Sequence, residues 1–169
     1  MRPIATVAIL FALAGFPRVA ATTPSYSLQR VLAVGRRQTI EGFAVTVRSV
    51  ERAREAGAAD YVARRGDVFL LVSIDIRRVG AHGSYYANAQ DFHVETARGA
   101  VVDSDGFGLT GELRTRRVYA RPVDGVIGFE VPATDRGLRL LWQPAFDSSP
   151  DAQAAWAVGT VGETVSYYR

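Results

Sequence analysis

The chain is predicted to fold as an all-β, antiparallel two-sheet sandwich preceded by a signal peptide. Three observations predict it: apolar and polar residues alternate along several short segments, those segments recur at roughly ten-residue spacing with turn residues between them, and no stretch shows the 3.6-residue apolar spacing of a long amphipathic helix. The 169 residues suit one compact domain with appendages, because a second independent core would need roughly another 100 residues.

The first element is a targeting segment. Arg2 supplies a positive start, an apolar run follows over 4–16, and Val19-Ala20-Ala21 places small side chains at a cleavage site. The apolar run is shorter than the roughly 20 residues a spanning helix needs and is interrupted by Pro17 and Arg18. Residues 1–21 are therefore expected to be removed, leaving a mature chain that starts at Thr22 without a membrane span. Residues 22–34 read as a linker with Pro24 and a weak strand over 28–34.

From Thr39, the residues Ile40, Phe43, Val45, Val47 and Val50 give a period of two with a slip near Ser49, the mark of a strand with one buried face. Residues 51–65 lose that period and read as a loop or one helical turn. Over 67–79, Val68, Leu70, Val72, Ile74 and Ile76 face one way and Ser73, Asp75 and Arg77 the other. Phe69 and Leu71 make the first half apolar on both sides, as expected of a central strand covered there on both faces. A turn cluster at 80–84 precedes a short strand at 85–87, in which Tyr85 and Tyr86 point to opposite sides. Segments 92–96 and 100–103 flank Ala97-Arg98-Gly99 as a hairpin. Residues 104–121 form a long connection, 123–131 a strand stopped by Pro132, and 138–142 the last strand of the pattern. Residues 145–169 are an extension whose end, with Tyr167 and Tyr168, is placed to add an edge strand.

Four segments occur in a recognisable order: Phe43-Ala44-Val45-Thr46-Val47, then 66–76 with its glycine-aspartate start, then Asp91-Phe92-His93-Val94, and finally Gly125-Val126-Ile127-Gly128-Phe129-Glu130-Val131-Pro132. In this the chain resembles a bacterial immunoglobulin-like domain family of unknown function found on extracellular proteins and lipoproteins. The resemblance covers about 35–144. It implies an immunoglobulin-like sandwich and carries no activity onto any residue. Lipoprotein members have a cysteine after the signal peptide where this chain has Thr22, so it is expected to be periplasmic or secreted and not lipid-anchored.

Composition narrows the function classes. The hydrophobic share of 48% and charged share of 22% are those of a globular protein rather than a disordered or multi-span one. All 20 basic residues are arginine, and the formal charge is +3. Without Arg2 and Arg18 there remain 18 arginines against 17 acidic residues, which lacks the basic excess of a nucleic-acid binder. The absence of cysteine excludes disulfides, thiolate metal sites and cysteine nucleophiles. No cofactor is expected.

Several motifs imitate chemistry. Gly106-Phe107-Gly108-Leu109-Thr110-Gly111 spells a dinucleotide fingerprint, but an arginine-rich stretch and another strand follow it instead of a helix. Asp103-Ser104-Asp105-Gly106 resembles the start of a calcium loop, yet its twelfth position is Arg114 where glutamate is needed. A looser cation site of Asp103, Asp105 and Glu112 remains a weak candidate. His82 and His93 lack a second histidine at metal spacing, and no nucleophile elbow is present. Arg114, Arg116, Arg117 and Arg121 gather in one connection, and guanidinium forks suit phosphate, sulfate or carboxylate groups. The expectation is an exported, non-enzymatic binding or interaction module whose partner is another envelope protein or an anionic envelope polymer. The alternatives are a structural accessory domain of the envelope and an uncharacterised hydrolase.

Overall fold

A computed structural model describes residues 31–57, 61–80, 83–106, 108–146 and 152–159. In chain order the strands are β1 (Val31–Ala33), β2 (Arg37–Ile40), β3 (Phe43–Ala53), β4 (Glu55–Ala56), β5 (Tyr61–Val62), β6 (Asp67–Arg78) and β7 (Tyr85–Ala87). A 3₁₀ turn (Ala89–Asp91) leads to β8 (Phe92–Glu95), β9 (Val101–Asp103), β10 (Arg116–Val118), β11 (Val123–Pro132), β12 (Arg139–Trp142) and β13 (Ala154–Ala157).

Two main sheets form from them. One runs β11-β6-β3-β2 and the other β1-β13-β12-β8-β9, while β7 with β10 and β4 with β5 make two-stranded ribbons. Among the described strands all pairings are antiparallel except β1 with β13. The chain changes sheet between β6 and β8, between β9 and β11 and again between β11 and β12, the crossing pattern of an immunoglobulin-like sandwich.

The period-two pattern explains the register. Alternate residues of β6 (Val68, Leu70, Val72, Ile74 and Ile76) enter the inter-sheet core against Phe43, Val45, Val47, Ile127, Phe129, Leu140 and Trp142. The slip in the β3 pattern is a bulge between Val47 and Ser49 opposite β6; the extra residue lets Val47 and Val50 both face the core. Full burial of each large side chain contributes about 1.5–3 kcal/mol. Phe69 and Leu71 face outward yet are also buried, under Ala53, Ala56, Ala63 and Leu109. The first half of β6 is thus covered on both faces, as its sequence predicts. Arg52, at the end of the core side of β3, is buried with Nη1 donating to the Ala133 carbonyl at 2.9 Å and Nη2 to that of Asp135 at 2.5 Å, closing one end of the sandwich.

Four local expectations differ from the structure. The segment from Thr39 to Val50 is a hairpin, not one strand: Glu41 and Gly42 both have positive φ, 48° and 77°, the conformation of a two-residue turn matched to strand twist. The stretch 51–65 contains the end of β3 and the β4–β5 ribbon instead of a loop or helical turn; Ala56 and Ala63 are small enough to lie directly on Phe69 and Leu71. The connection 104–121 is partly zipped onto β11, through Leu113 N–H to the Val126 carbonyl and Val126 N–H to that of Gly111, both 2.9 Å, and contains β10. A side chain at Gly125 would meet the Leu113 backbone at 2.7 Å, so glycine permits this crossing. Finally, β13 lies within the expected C-terminal extension and sits between β12 and β1 inside the sheet.

The expected signal peptide with its cleavage point, the edge strand ending in Tyr167 and Tyr168, and the residues His82 and Phe107 lie outside the described residues. Among the described residues no helix is long and apolar enough to cross a membrane.

Candidate functional site: a cationic and aromatic ribbon

The β7–β10 ribbon has two chemically different faces. Tyr85 opposes Val118, and both are buried; Tyr86 opposes Arg117, and both are exposed. Alternation along β7 sends Tyr85 inward, 6% exposed, and Tyr86 outward, 59% exposed. Tyr85 anchors the ribbon. Its ring lies 5.4 Å from that of Phe43 and 6.0 Å from that of Trp142. Its hydroxyl donates to the Asp91 carboxylate at 2.5 Å and accepts from Trp142 Nε1 at 3.1 Å. Asp91 also accepts from the Asn88 amide at 3.2 Å. Burial, then the neighbouring Asp91 charge and hydrogen bond, push the Tyr85 phenol well above its ordinary range; burial raises the Asp91 carboxyl despite its hydrogen bonds. The phenol is therefore held protonated and donating, a brace beneath the ribbon.

The outward face carries Arg117 opposite Tyr86. Beside it, Arg116, Arg117, Tyr119, Ala120, Arg121, Pro122 and Val123 line an open cleft of about 500 Å³. The Arg117 guanidinium stands 5.6 Å from the Tyr119 ring centroid and that of Arg78 5.7 Å from the same centroid, within range of cation–π attraction. Tyr119 is itself 61% exposed. Among the described residues no carboxylate lines the cleft.

Three of the four arginines singled out by sequence, Arg116, Arg117 and Arg121, are brought together here. Arg114 is exposed but does not line the cleft. Arg78 was not singled out, because its approach depends on β6 ending beside the turn after β10. The doublet Arg77-Arg78 before the turn cluster was the only signal available.

The cation candidates are placed differently. Asp103 Oδ1 lies 2.8 Å from His93 Nδ1 across the β8–β9 pair. The Asp105 amide donates to the Gly128 carbonyl at 3.2 Å and that of Glu112 to Leu109 at 3.0 Å, fixing both segments by backbone contacts. Among the described residues no three His, Asp or Glu side chains come together as a metal set. The described part of the glycine-rich loop contains no helix to aim amides at a pyrophosphate, and Leu109 packs over the outer sheet face.

No family model and no curated protein matches the chain. Solved structures share its fold. The chain is similar to the yjhA protein of Bacillus subtilis (15% identity, 76% of this chain and 99% of that one, TM-score 0.58). It is similar to a secreted protein of Mycobacterium tuberculosis (12% identity, 76% and 97%, TM-score 0.58). It also resembles a candidate lipoprotein of Bacillus subtilis (15% identity, TM-score 0.58), covering 72% of this chain but spanning only 38% of that one. At these identities the likeness is one of fold alone.

Proposed function

We propose that this chain is an exported, non-enzymatic binding module of the bacterial cell envelope, and that the β7–β10 ribbon with its cleft is the surface that takes an anionic partner. The observation that carries the reading is the collection of Arg116, Arg117 and Arg121 around one cleft that no carboxylate of the described residues lines. Like charges some 8 Å apart in water repel by about 0.5 kcal/mol per pair, so such an arrangement gains from an anion that joins it. The pair of buried Tyr85 and half-buried Asp91 is engaged in mutual and backbone hydrogen bonds, which favours a structural role over acid–base work. Export is supported by the secretory grammar of the first 21 residues and by the secreted and lipoprotein character of proteins with the same fold.

The test is salt-dependent retention on a sulfated polysaccharide resin. The native chain is expected to be retained, and the Arg116→Ala/Arg117→Ala/Arg121→Ala variant, with an unchanged melting curve, to elute at clearly lower salt. Equal elution of the two would remove the ribbon as the contact surface. Mass spectrometry of the native gene product is expected to give an N-terminus at Thr22 in an extracytoplasmic fraction; a chain retaining Met1 in the cytoplasm would overturn the export reading.

A further inference from the structure

We infer that the anion taken by the ribbon is a phosphodiester-linked polymer of the polyol phosphate type, not a nucleic acid, with one phosphate seated in the Arg116–Arg117–Arg121 cleft and the chain continuing over Tyr119 and Tyr86. The inference rests on the reading of the ribbon as an anionic contact surface and adds the chemical class of the occupant.

Three features select phosphate. First, three arginines, Arg116, Arg117 and Arg121, line one cleft, and because Arg116 and Arg117 are consecutive in a strand they reach it from different sides. A carboxylate is planar and is satisfied by a single fork, whereas the tetrahedral phosphate group presents acceptor oxygens in several directions to donors arriving from different sides. Second, the surface continues beyond the cleft. Arg117 belongs both to the cleft and to the outward ribbon face opposite Tyr86, and Tyr119 carries Arg78 as well as Arg117. A single small anion would occupy the cleft and leave the rest of this stripe unused; a chain with repeated charges would engage it along its length. Third, the exposed ribbon positions are Tyr86, Arg116 and Arg117, with no aliphatic side chain among them. A stable protein interface usually has an apolar core depleted of charge, whereas exposed rings bordered by guanidinium groups suit a hydrated, charged polymer. The ribbon can hold this face steady because its other face is pinned by the Trp142–Tyr85–Asp91 hydrogen bonds.

The probe is poly(glycerol phosphate) of about eight repeats, titrated calorimetrically against the full chain at low salt. Polyglutamate of equal charge, inorganic phosphate and single-stranded DNA of equal charge serve as comparisons. The polymer is expected to bind at least about tenfold more tightly than polyglutamate or inorganic phosphate, with log K falling linearly in log salt as counterions are released. The triple arginine variant is expected to lose at least about twentyfold in affinity and to flatten that salt slope by about two, while Arg139→Ala, whose guanidinium pairs with Glu95 on the other sheet, leaves both unchanged. Equal affinity for polyglutamate and the phosphate polymer, both abolished by the triple change, would overturn the phosphate assignment while the anion-binding reading stands. Inorganic phosphate binding as tightly as the polymer would overturn the polymeric occupant, and tighter binding of DNA would replace it. If no polyanion binds at low salt, both readings fall together.

Discussion

Two groups of arginines on this sandwich have opposite surroundings. On the outer face of the β11-β6-β3-β2 sheet, Arg77 Nε and Arg48 Nη2 lie 2.5 and 2.9 Å from the Asp75 carboxylate, which is buried beneath them. At the β7–β10 ribbon, Arg116, Arg117 and Arg121 line a cleft to which no described carboxylate contributes. The first group is neutralised by the protein; the second makes no ion pair among the described residues, and Arg117 stands over the Tyr119 ring. Counting arginines would have treated the two alike. A guanidinium whose carboxylate is already buried beside it serves the fold, whereas arginines gathered at a cleft without an ion pair among the described residues are available to a ligand.

The largest expected effect on that contrast comes from removing the internal counter-ion. Asp75→Ala removes the carboxylate that Arg48 and Arg77 share and is expected to cost about 2 kcal/mol in urea unfolding, the scale of lost hydrogen bonds to a charged group. The two exposed ends keep the cost below that of a fully buried pair. A cost under about 0.5 kcal/mol would show that the pair is no more than a surface ion pair.

The next effect is on pH dependence, where buried Asp75 and half-buried Asp91 act in opposite directions. Burial favours the neutral form of Asp75, but the hydrogen bonds from Arg77 and Arg48 outweigh it and hold its carboxyl below the ordinary value of 3.8. Asp75 therefore adds stability that is fully present above that value and is lost as pH falls through the lowered one. Asp91 is raised by burial, so the folded state holds its proton more strongly and its contribution declines as pH rises from about 3.8 through the raised value. Unfolding measured between pH 3 and 7 should show a smaller acid-side loss of stability in Asp75→Asn and a larger one in Asp91→Asn than in the native chain. Parallel curves for all three would refute the assignment.

A smaller change should convert the second group into the first. Tyr86 stands opposite Arg117 on the exposed face of the ribbon, so Tyr86→Glu supplies a cross-strand counter-charge. It is expected to hold stability within about 0.5 kcal/mol of native while reducing retention on the sulfated resin. Full retention would mean that Arg117 is not part of the contact surface. The smallest stability effect belongs to the triple arginine change, expected within about 0.5 kcal/mol of native because the removed groups are exposed and make no ion pair among the described residues. A larger loss in a thermal melt would assign those arginines to the fold instead.

Much of the architecture was legible because it is local. The alternation in β6, its doubly apolar first half, the slip that became the bulge at Val47 and Ser49, and the hairpin glycine at Gly99 each follow from the sequence of one short segment. The inward and outward division of Tyr85 and Tyr86 follows from the same two-residue period. What escaped has little local signal. Ala154-Ala155-Trp156-Ala157 shows no alternation, and its strand form depends on β12 and β1 on either side and on Trp156 Nε1 reaching the Arg36 carbonyl at 2.8 Å, 120 positions away in sequence. β10 contains two arginines and one valine, and only Val118 packing beside Tyr85 makes it a strand.

The candidate site divides along the same line. Sequence alone determined that Arg114, Arg116, Arg117 and Arg121 would be close along the chain, since neighbours in sequence are neighbours in space. It also determined an all-β fold, because a period of two can bury one face of a strand without knowledge of its partners. Which arginines converge, that Arg78 joins them through Tyr119, that Arg114 does not line the cleft and that Arg48 and Arg77 are neutralised by Asp75 were decided only by the tertiary structure. The physical reason is that charge acts through distance in space: a guanidinium becomes a structural tie or a binding group according to what the crossing strands place within a few ångströms of it.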